Sequence, residues 1–427
     1  MLRMLAGEAA RRHGRREAFV GGGRRVTFAD LDRLSDAVAA GLGHRGVLPG
    51  DVVAIALPPI PEYAVCSLAV AKLSAVAAGY DPRLPPKSLV HLHEVVRPCL
   101  TIAAPDLWLS GELVTVEPSR EAGQALGRLA RAEPPPPPLP PDAYRPVMII
   151  SSGPADAPRG AIFGDRQLDA IRRAEAGVRW GDGEPRLLGA AYPEFLNRLP
   201  CVLQSGATVY SLPSAARSGA ESGEGSALEN EVETEIRATA ELGLPALTGT
   251  PERLAAVLAH PALGELDFSA LHEIVVLGAA PEPALAEALR DRFDVRVRTE
   301  YLPMEAGLGV GTRRDGPPDD VPTSVGQPAV GVTVSIRDSA GRPVGAGSVG
   351  EVLLRSGAVM SGYWNDPAAT ARAITKDGFV RTGDLGRLDT EGRLHLVDPA
   401  GQPGQSGPPS PPSHAAGGAD AARESAR

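Results

Sequence analysis

Lysine is scarce in this chain. Only Lys72, Lys87 and Lys376 occur among 43 basic residues, so few positions could supply a catalytic ammonium group. Cys66, Cys99 and Cys201 are odd in number, far apart and without metal-ligand spacing, which makes reduced, buried thiols the expectation. His91 and His93 would share one face of a strand, yet no third ligand lies nearby to complete a metal site. Arg11, Arg12, Arg15 and Arg16 form the densest basic cluster, but Glu8 and Glu17 interrupt it. That pattern reads as a solvated helix face and not as a nucleic-acid-binding arm. A net charge of -9 over 427 residues also argues against polyanion binding.

The elements that would position these residues follow from periodicity. Residues 28–43 repeat apolar side chains (Phe28, Leu31, Leu34, Val38, Leu42) at helical spacing, and the first residues form an amphipathic helix. A buried strand is expected at 52–57, a helix at 62–77 and a further strand at 100–104. Such alternation predicts an α/β lobe with a largely parallel sheet. Residues 134–138, with Pro140 and Pro141, form a stiff polyproline spacer before an apolar strand at 146–150 that runs into Ser151-Ser152-Gly153. A second α/β stretch spans strands at 187–191 and 207–212, a helix at 251–259 and a strand at 274–277. Residues 214–227, rich in Gly, Ser, Ala and Glu, are expected to form a mobile surface loop.

From 326 onward hairpins replace helices, with strands at 332–337, 350–355, 379–381 and 394–397 around turn sequences. The expected division is two α/β subdomains over 1–325, a β-rich subdomain over 326–398 and a tail, 399–427, too poor in large apolar residues to bury a core. No apolar run approaches the roughly 18–20 residues a membrane span needs, and the N-terminus has no apolar signal core, so a cytoplasmic protein is expected.

Several long stretches carry a collinear resemblance. "VSIRDSAGRPVGAGSVGEVLLRS", "SGYWNDPAATARA" and "DGFVRTGDLGRLDTEGRLHLVD" resemble the AMP-forming acyl-CoA synthetases, the adenylate-forming or luciferase-like family. "VTFADLDRLSDAVAAGLGHRGVLPGDVVAIALP" and "TGTPERLAAVLAHPALGELDFSALHEIVVLGAAPEPAL" agree, so the resemblance covers roughly 5–398. It implies a large N-terminal domain of two stacked α/β subdomains plus a β-rich subdomain. The family's C-terminal lid, with its lysine, is not expected here, since no lysine follows Lys376. The implied chemistry is attack of a carboxylate on the α-phosphate of Mg-ATP, then transfer of the acyl group to a thiol of CoA or of a carrier protein's phosphopantetheine.

By the same resemblance, the phosphate loop is Ser151-Ser152-Gly153-Pro154-Ala155-Asp156-Ala157-Pro158-Arg159-Gly160. Ser151, Ser152, Gly153, Pro158 and Gly160 match the family. Pro154 and Ala155 replace hydroxyl residues, Asp156 replaces glycine and Arg159 replaces lysine. Phosphate is held by N–H groups, hydroxyls and a cation. Losing two or three charge-assisted hydrogen bonds, each about 1.5–3 kcal/mol, weakens phosphate handling on the order of 10³-fold or more.

Gly278, Ala279, Ala280 and Pro281 take the place of the adenine-contacting turn. Tyr301 would stack on adenine, Glu305 would bind Mg²⁺, and Asp384 would accept the ribose hydroxyls. Leu302 and Met304 replace a glycine and a threonine of the motif, and Phe195, Thr250 and Leu302 would line the acyl pocket. Three readings remain open: an impaired acid–thiol ligase that borrows a lid from a separate chain, a pseudoenzyme binding module for nucleotide or partner, and the product of a decayed, frameshifted gene. A carboxylic acid and a nucleotide are the implied small-molecule partners.

Overall fold

The computed structural model describes residues 1–397 except 59, 106, 108, 117–118, 120, 133–145, 153–157, 177–184, 189–193, 213–223 and 314–322. The polyproline spacer and the 399–427 tail therefore lie outside the described residues.

The helix expected at 28–43 forms as Phe28–His44. Thr27 caps it, its hydroxyl accepting from the Asp30 N–H at 3.1 Å, and Phe28, Leu31, Leu34, Val38 and Leu42 are buried along one stripe. Strand Val52–Ala56 is buried at every position, as a strand covered on both faces must be. It pairs in parallel with Val76–Gly79 and Leu100–Ala103 in a six-stranded sheet. Leu113–Thr115 closes one edge of that sheet, and the antiparallel pair Pro146–Ser152 and Arg159–Gly164 closes the other.

A second α/β sheet runs Ala246–Gly249, Glu273–Leu277 and Arg296–Tyr301 in parallel, then Val310–Gly311 and Gln327–Pro328 antiparallel. A four-stranded sheet joins Glu17–Gly21, Arg24–Thr27, Val209–Ser211 and Arg186–Leu188. The antiparallel sheet Thr333–Arg337, Gly350–Arg355, Val380–Leu388 and Leu394–Val397 forms the β-rich part. One apolar core runs continuously from the N-terminal helix Leu2–His13 to Leu394, and a separate core lies under the second α/β sheet.

Four local expectations are corrected. The helix expected to reach 77 stops at Lys72, because Ser74 takes a left-handed φ of 58° and Val76–Gly79 is recruited to the sheet. His91 and His93 lie on helix Pro86–Val96, not on a strand. Two residues apart on a helix is roughly 200° of rotation, so they face apart: His93 is buried with Nε2 2.9 Å from the Ser110 carbonyl, and His91 is exposed. Cys66 and Cys201 are buried free thiols, whereas Cys99, in the turn before its strand, is exposed. Residues 224–227, expected in a loop, open helix Glu224–Glu241, which Val232 and Ile236, one turn apart, anchor in the core.

Lys72 is among the most buried side chains. Its ammonium group donates to the Asp32 carboxylate at 2.6 Å, the Asp36 carboxylate at 2.7 Å and the Asp32 carbonyl at 2.8 Å. It ties helix Pro61–Lys72 to helix Phe28–His44 and is committed to structure. Among the described residues no helix is long and apolar enough to cross a membrane.

Candidate functional site

In the second α/β sheet the parallel strands end together. Gly249 pairs with Val276 and Leu277 with Glu300, which brings Thr250, Gly278 and Tyr301 to the same carboxyl edge. In open parallel sheets ligands bind in the crevice at this edge, where helix N-termini and strand-end loops converge. Gly278 has φ 84° and its N–H donates to the Glu300 carbonyl at 2.8 Å, so the turn into Ala279, Ala280 and Pro281 leaves the sheet beside Tyr301. Only glycine adopts that backbone without strain. Ala279 and Pro281 are buried and Ala280 is half-buried.

Tyr301 is only 6 % exposed, and its hydroxyl donates to Asp384. Tyr301 thus meets Asp384 through its hydroxyl, while little of its ring is uncovered. Asp384 comes from strand Val380–Leu388 of the antiparallel sheet, and its backbone N–H donates to the Thr382 hydroxyl at 3.1 Å. Burial pushes the Asp384 carboxyl above its ordinary value, against the opposing hydrogen bonds from Tyr301 and Thr382. Burial likewise raises the Tyr301 hydroxyl well above its usual range, so it stays a neutral donor.

Glu305 follows in the short turn Met304–Ala306 and accepts from the Tyr363 hydroxyl at 2.8 Å. Tyr363 in turn lies against Arg159, whose guanidinium carbon is 5.6 Å from the ring centroid. Arg159 also faces Asp366 at 3.8 Å. The backbone explains this meeting. Residues 361–364 run alongside strand Arg159–Gly164, with Ser361 N–H to the Ile162 carbonyl at 2.9 Å, Ile162 N–H to the Gly362 carbonyl at 2.9 Å and Trp364 N–H to the Gly160 carbonyl at 2.8 Å. Trp364 Nε1 and Asn365 Nδ2 anchor the far end on the Val96 and Val95 carbonyls. The tertiary structure thus places Arg159, Tyr363, Glu305, Tyr301 and Asp384 in one neighbourhood from three sheets. Burial and the neighbouring Glu305 raise the Tyr363 hydroxyl, which therefore remains protonated and donating.

Tyr363 and Thr382 were not singled out from the sequence, although both stand inside the motifs that carry the resemblance. Asn197 was also missed: it is buried, and its amide donates to the Met304 sulfur at 3.9 Å. That contact gives Met304 a packing role where the family motif carries a hydroxyl. Leu302 is half-buried directly after Tyr301, whereas exposed Thr250 caps helix Pro251–Ala259. Gly153 and residues 154–157 lie outside the described residues, as do the side chains of Ser151, Ser152 and Phe195. Ser151 and Gly160 pair across the hairpin whose tip carries the loop.

Magnesium uses one or two protein carboxylates and fills its octahedron with phosphate and water oxygens. Glu305 supplies one such carboxylate, and among the described residues no cluster of three His, Cys, Asp or Glu could hold a metal alone. The residues fit a cation held jointly with phosphate and do not fit an all-protein metal cage.

A mixed α/β body with an antiparallel β sheet, carrying the Tyr301–Asp384 pair and Glu305, has the architecture of the N-terminal domains of adenylate-forming enzymes. The AMP-binding enzyme family model matches residues 7–364, and the chain belongs to that family. Among curated proteins it is 31% identical over 392 residues to a feruloyl-CoA synthase of Amycolatopsis sp, covering 88% of this chain and 74% of that one. Among solved structures, the N-terminal domain of FACL13 from Mycobacterium tuberculosis superposes with a TM-score of 0.75 at 22% identity, covering 93% of this chain and 99% of that chain. The nonribosomal peptide synthetase FmoA3 in an AMPPNP-bound form gives a TM-score of 0.77 at 21% identity, covering 94% of this chain and 43% of that one.

Proposed function

We propose that this chain binds an adenine nucleotide at the carboxyl edge of its second α/β sheet and activates a carboxylic acid as an acyl-adenylate. The observation that carries this reading is the hydrogen-bonded pair Tyr301–Asp384 beside the Gly278–Ala279–Ala280–Pro281 turn. A carboxylate has two acceptor oxygens, which suits the two vicinal hydroxyls of ribose. Tyr301 holds one oxygen and fixes the carboxylate's orientation, and the buried setting strengthens any hydrogen bond it accepts. Glu305, oriented by Tyr363, would hold Mg²⁺ together with phosphate oxygens, and the bound cation would neutralise charge developing on them. Arg159 supplies the cation of the phosphate loop. CoA or a carrier-protein phosphopantetheine, the acceptors the family resemblance implies, would then take the acyl group.

The triphosphate half of this site is the weaker half. Pro154 and Ala155 offer no hydroxyls, Pro154 offers no N–H, and Asp156 adds a negative charge where phosphate must approach. Arg159 is shared with Tyr363 and Asp366. Turnover should therefore be slow relative to intact relatives. The second reading, a module that binds nucleotide without chemistry, is favoured by the Asn197–Met304 contact, which packs a thioether where the motif carries a phosphate-facing hydroxyl.

Calorimetry with AMP and with Mg-ATP tests the site, and pyrophosphate release across a panel of aliphatic and aromatic acids tests the chemistry. AMP should bind about as well as ATP. Binding of neither nucleotide would overturn both readings, and ATP bound far more tightly than AMP would show an intact triphosphate cradle. Binding without pyrophosphate release for any acid would leave the module reading.

A further inference from the structure

The β-rich sheet carries a cavity of about 560 Å³ that no step above uses; Arg337, Arg372, Lys376 and Arg381 line it with Thr375 and Asp377. Its four cations come from three kinds of element. Arg337 ends strand Thr333–Arg337, Arg381 stands in strand Val380–Leu388, Arg372 in helix Pro367–Ala373, and Lys376 in the turn between that helix and that strand. The topology therefore gathers charges that the sequence separates by up to 44 positions.

Two of the cations are preset. Arg337 keeps 11% of its side-chain surface exposed, donates to Asp377 at 2.6 Å and lies over the Phe379 ring at 4.8 Å. Arg381 is tied to Glu351. Arg372 and Lys376 are exposed and have no ion-pair partner among the described residues. Asp377, the one acid in the lining, is held ionised by the Arg337 hydrogen bond and then by Thr375, its carboxyl lowered to about 2. Even with Asp377 and Glu351 both counted, cations outnumber acids by four to two, on a chain whose net charge is -9. Like charges crowded against the overall sign of a protein repel one another unless an anion joins them.

We infer that this basic cavity is a binding site for a small oligophosphate anion. The volume falls within the roughly 300–1,000 Å³ typical of small-molecule sites. Guanidinium forks match phosphate oxygens bidentately, and an ammonium group adds a point charge. With Arg337 and Arg381 already paired to Asp377 and Glu351, Arg372 and Lys376 remain to be matched; a monocarboxylate would neutralise one of them, whereas an oligophosphate carries enough charge for both. The phosphates could be free or borne by a nucleotide, and the two sources are separable by experiment.

The test is titration of the full chain with inorganic tripolyphosphate and, in parallel, with ATP in the absence of Mg²⁺, at low and at physiological salt. Tripolyphosphate should bind saturably and should weaken as the Debye length shrinks from about 30 Å at 0.01 M to about 8 Å at 0.15 M. The double variant Arg372→Glu/Lys376→Glu should lose about tenfold or more of that affinity, and Arg372→Gln/Lys376→Gln an intermediate amount. Both residues are exposed, so thermal melting and AMP binding should be unchanged in the variants. Equal affinity for the two probes would assign the site to phosphate alone. A tighter ATP interaction whose advantage vanishes in the double variant would assign it to nucleotide-borne phosphate. Absence of saturable tripolyphosphate binding, or binding that the double variant leaves intact, would overturn the inference and place any bound anion elsewhere, at the Ser151–Gly160 loop for instance.

Discussion

Replacing Tyr301 by phenylalanine removes one hydroxyl and almost no volume, so its effect isolates the bond to Asp384. A hydrogen bond to a charged group contributes about 1.5–3 kcal/mol. If that bond orients Asp384 for ribose, Tyr301→Phe should weaken AMP binding by roughly 10- to 150-fold. The same loss appears in titration: without the Tyr301 hydrogen bond, which favours the ionised form, the Asp384 carboxyl should rise further above its ordinary value. Its pKa already stands above the ordinary carboxylate value because burial opposes the charged form.

The sign follows directly. A group raised in the folded state is protonated first by the native protein as pH falls, so charging Asp384 costs stability as pH rises from the unfolded value through the folded one. Ribose hydroxyls donate to the ionised form, so AMP affinity should rise with pH through the same window, and that window should move upward in Tyr301→Phe. Calorimetry at a series of pH values, with near-ultraviolet circular dichroism to confirm the fold, reads both effects. An unchanged affinity and an unchanged pH midpoint in a folded variant would refute the assignment of Asp384 to ribose or of Tyr301 to its orientation.

Three further outcomes are expected. Arg298 is 4% exposed and pairs with Glu273 at 2.9 Å and Glu300 at 3.6 Å, so Arg298→Met should destabilise the chain by about 3–5 kcal/mol through the acids it strands, measured by urea unfolding. Lys72→Met should lower the melting temperature while leaving AMP binding intact, since its ammonium serves Asp32 and Asp36; lost nucleotide binding in a folded variant would contradict that structural role. Gly326 has φ 98° and a Cβ there would lie 2.1 Å from the Gly311 carbonyl carbon, so Gly326→Ala should cost at least about 1–3 kcal/mol, read as a shift in denaturation midpoint at constant slope.

Local chemistry made much of the architecture legible from sequence. Phe28–His44 is a helix because its apolar residues recur every three or four positions, and Val52–Ala56 a central strand because five consecutive small or branched residues can be buried on both faces. Long collinear motifs carried the family, and with it Gly278, Tyr301, Glu305 and Asp384 as candidates. Periodicity failed where pairing partners decided the outcome. Residues 73–77 continue a helical pattern, but the chain turns at Leu73 and Ser74 and Val76 and Ala77 join the sheet beside Val52–Ala56, and the pair His91 and His93 is split across a helix. Roles within the site were also beyond sequence. That Tyr301 serves Asp384 through its hydroxyl, and that Tyr363 bridges Arg159 and Glu305, depends on the 361–364 segment running along Arg159–Gly164, some 200 residues away in the chain. Side-chain type and spacing specify what a segment can do locally, but which distant hydroxyl meets which carboxylate is fixed only when separate sheets pack on a common core.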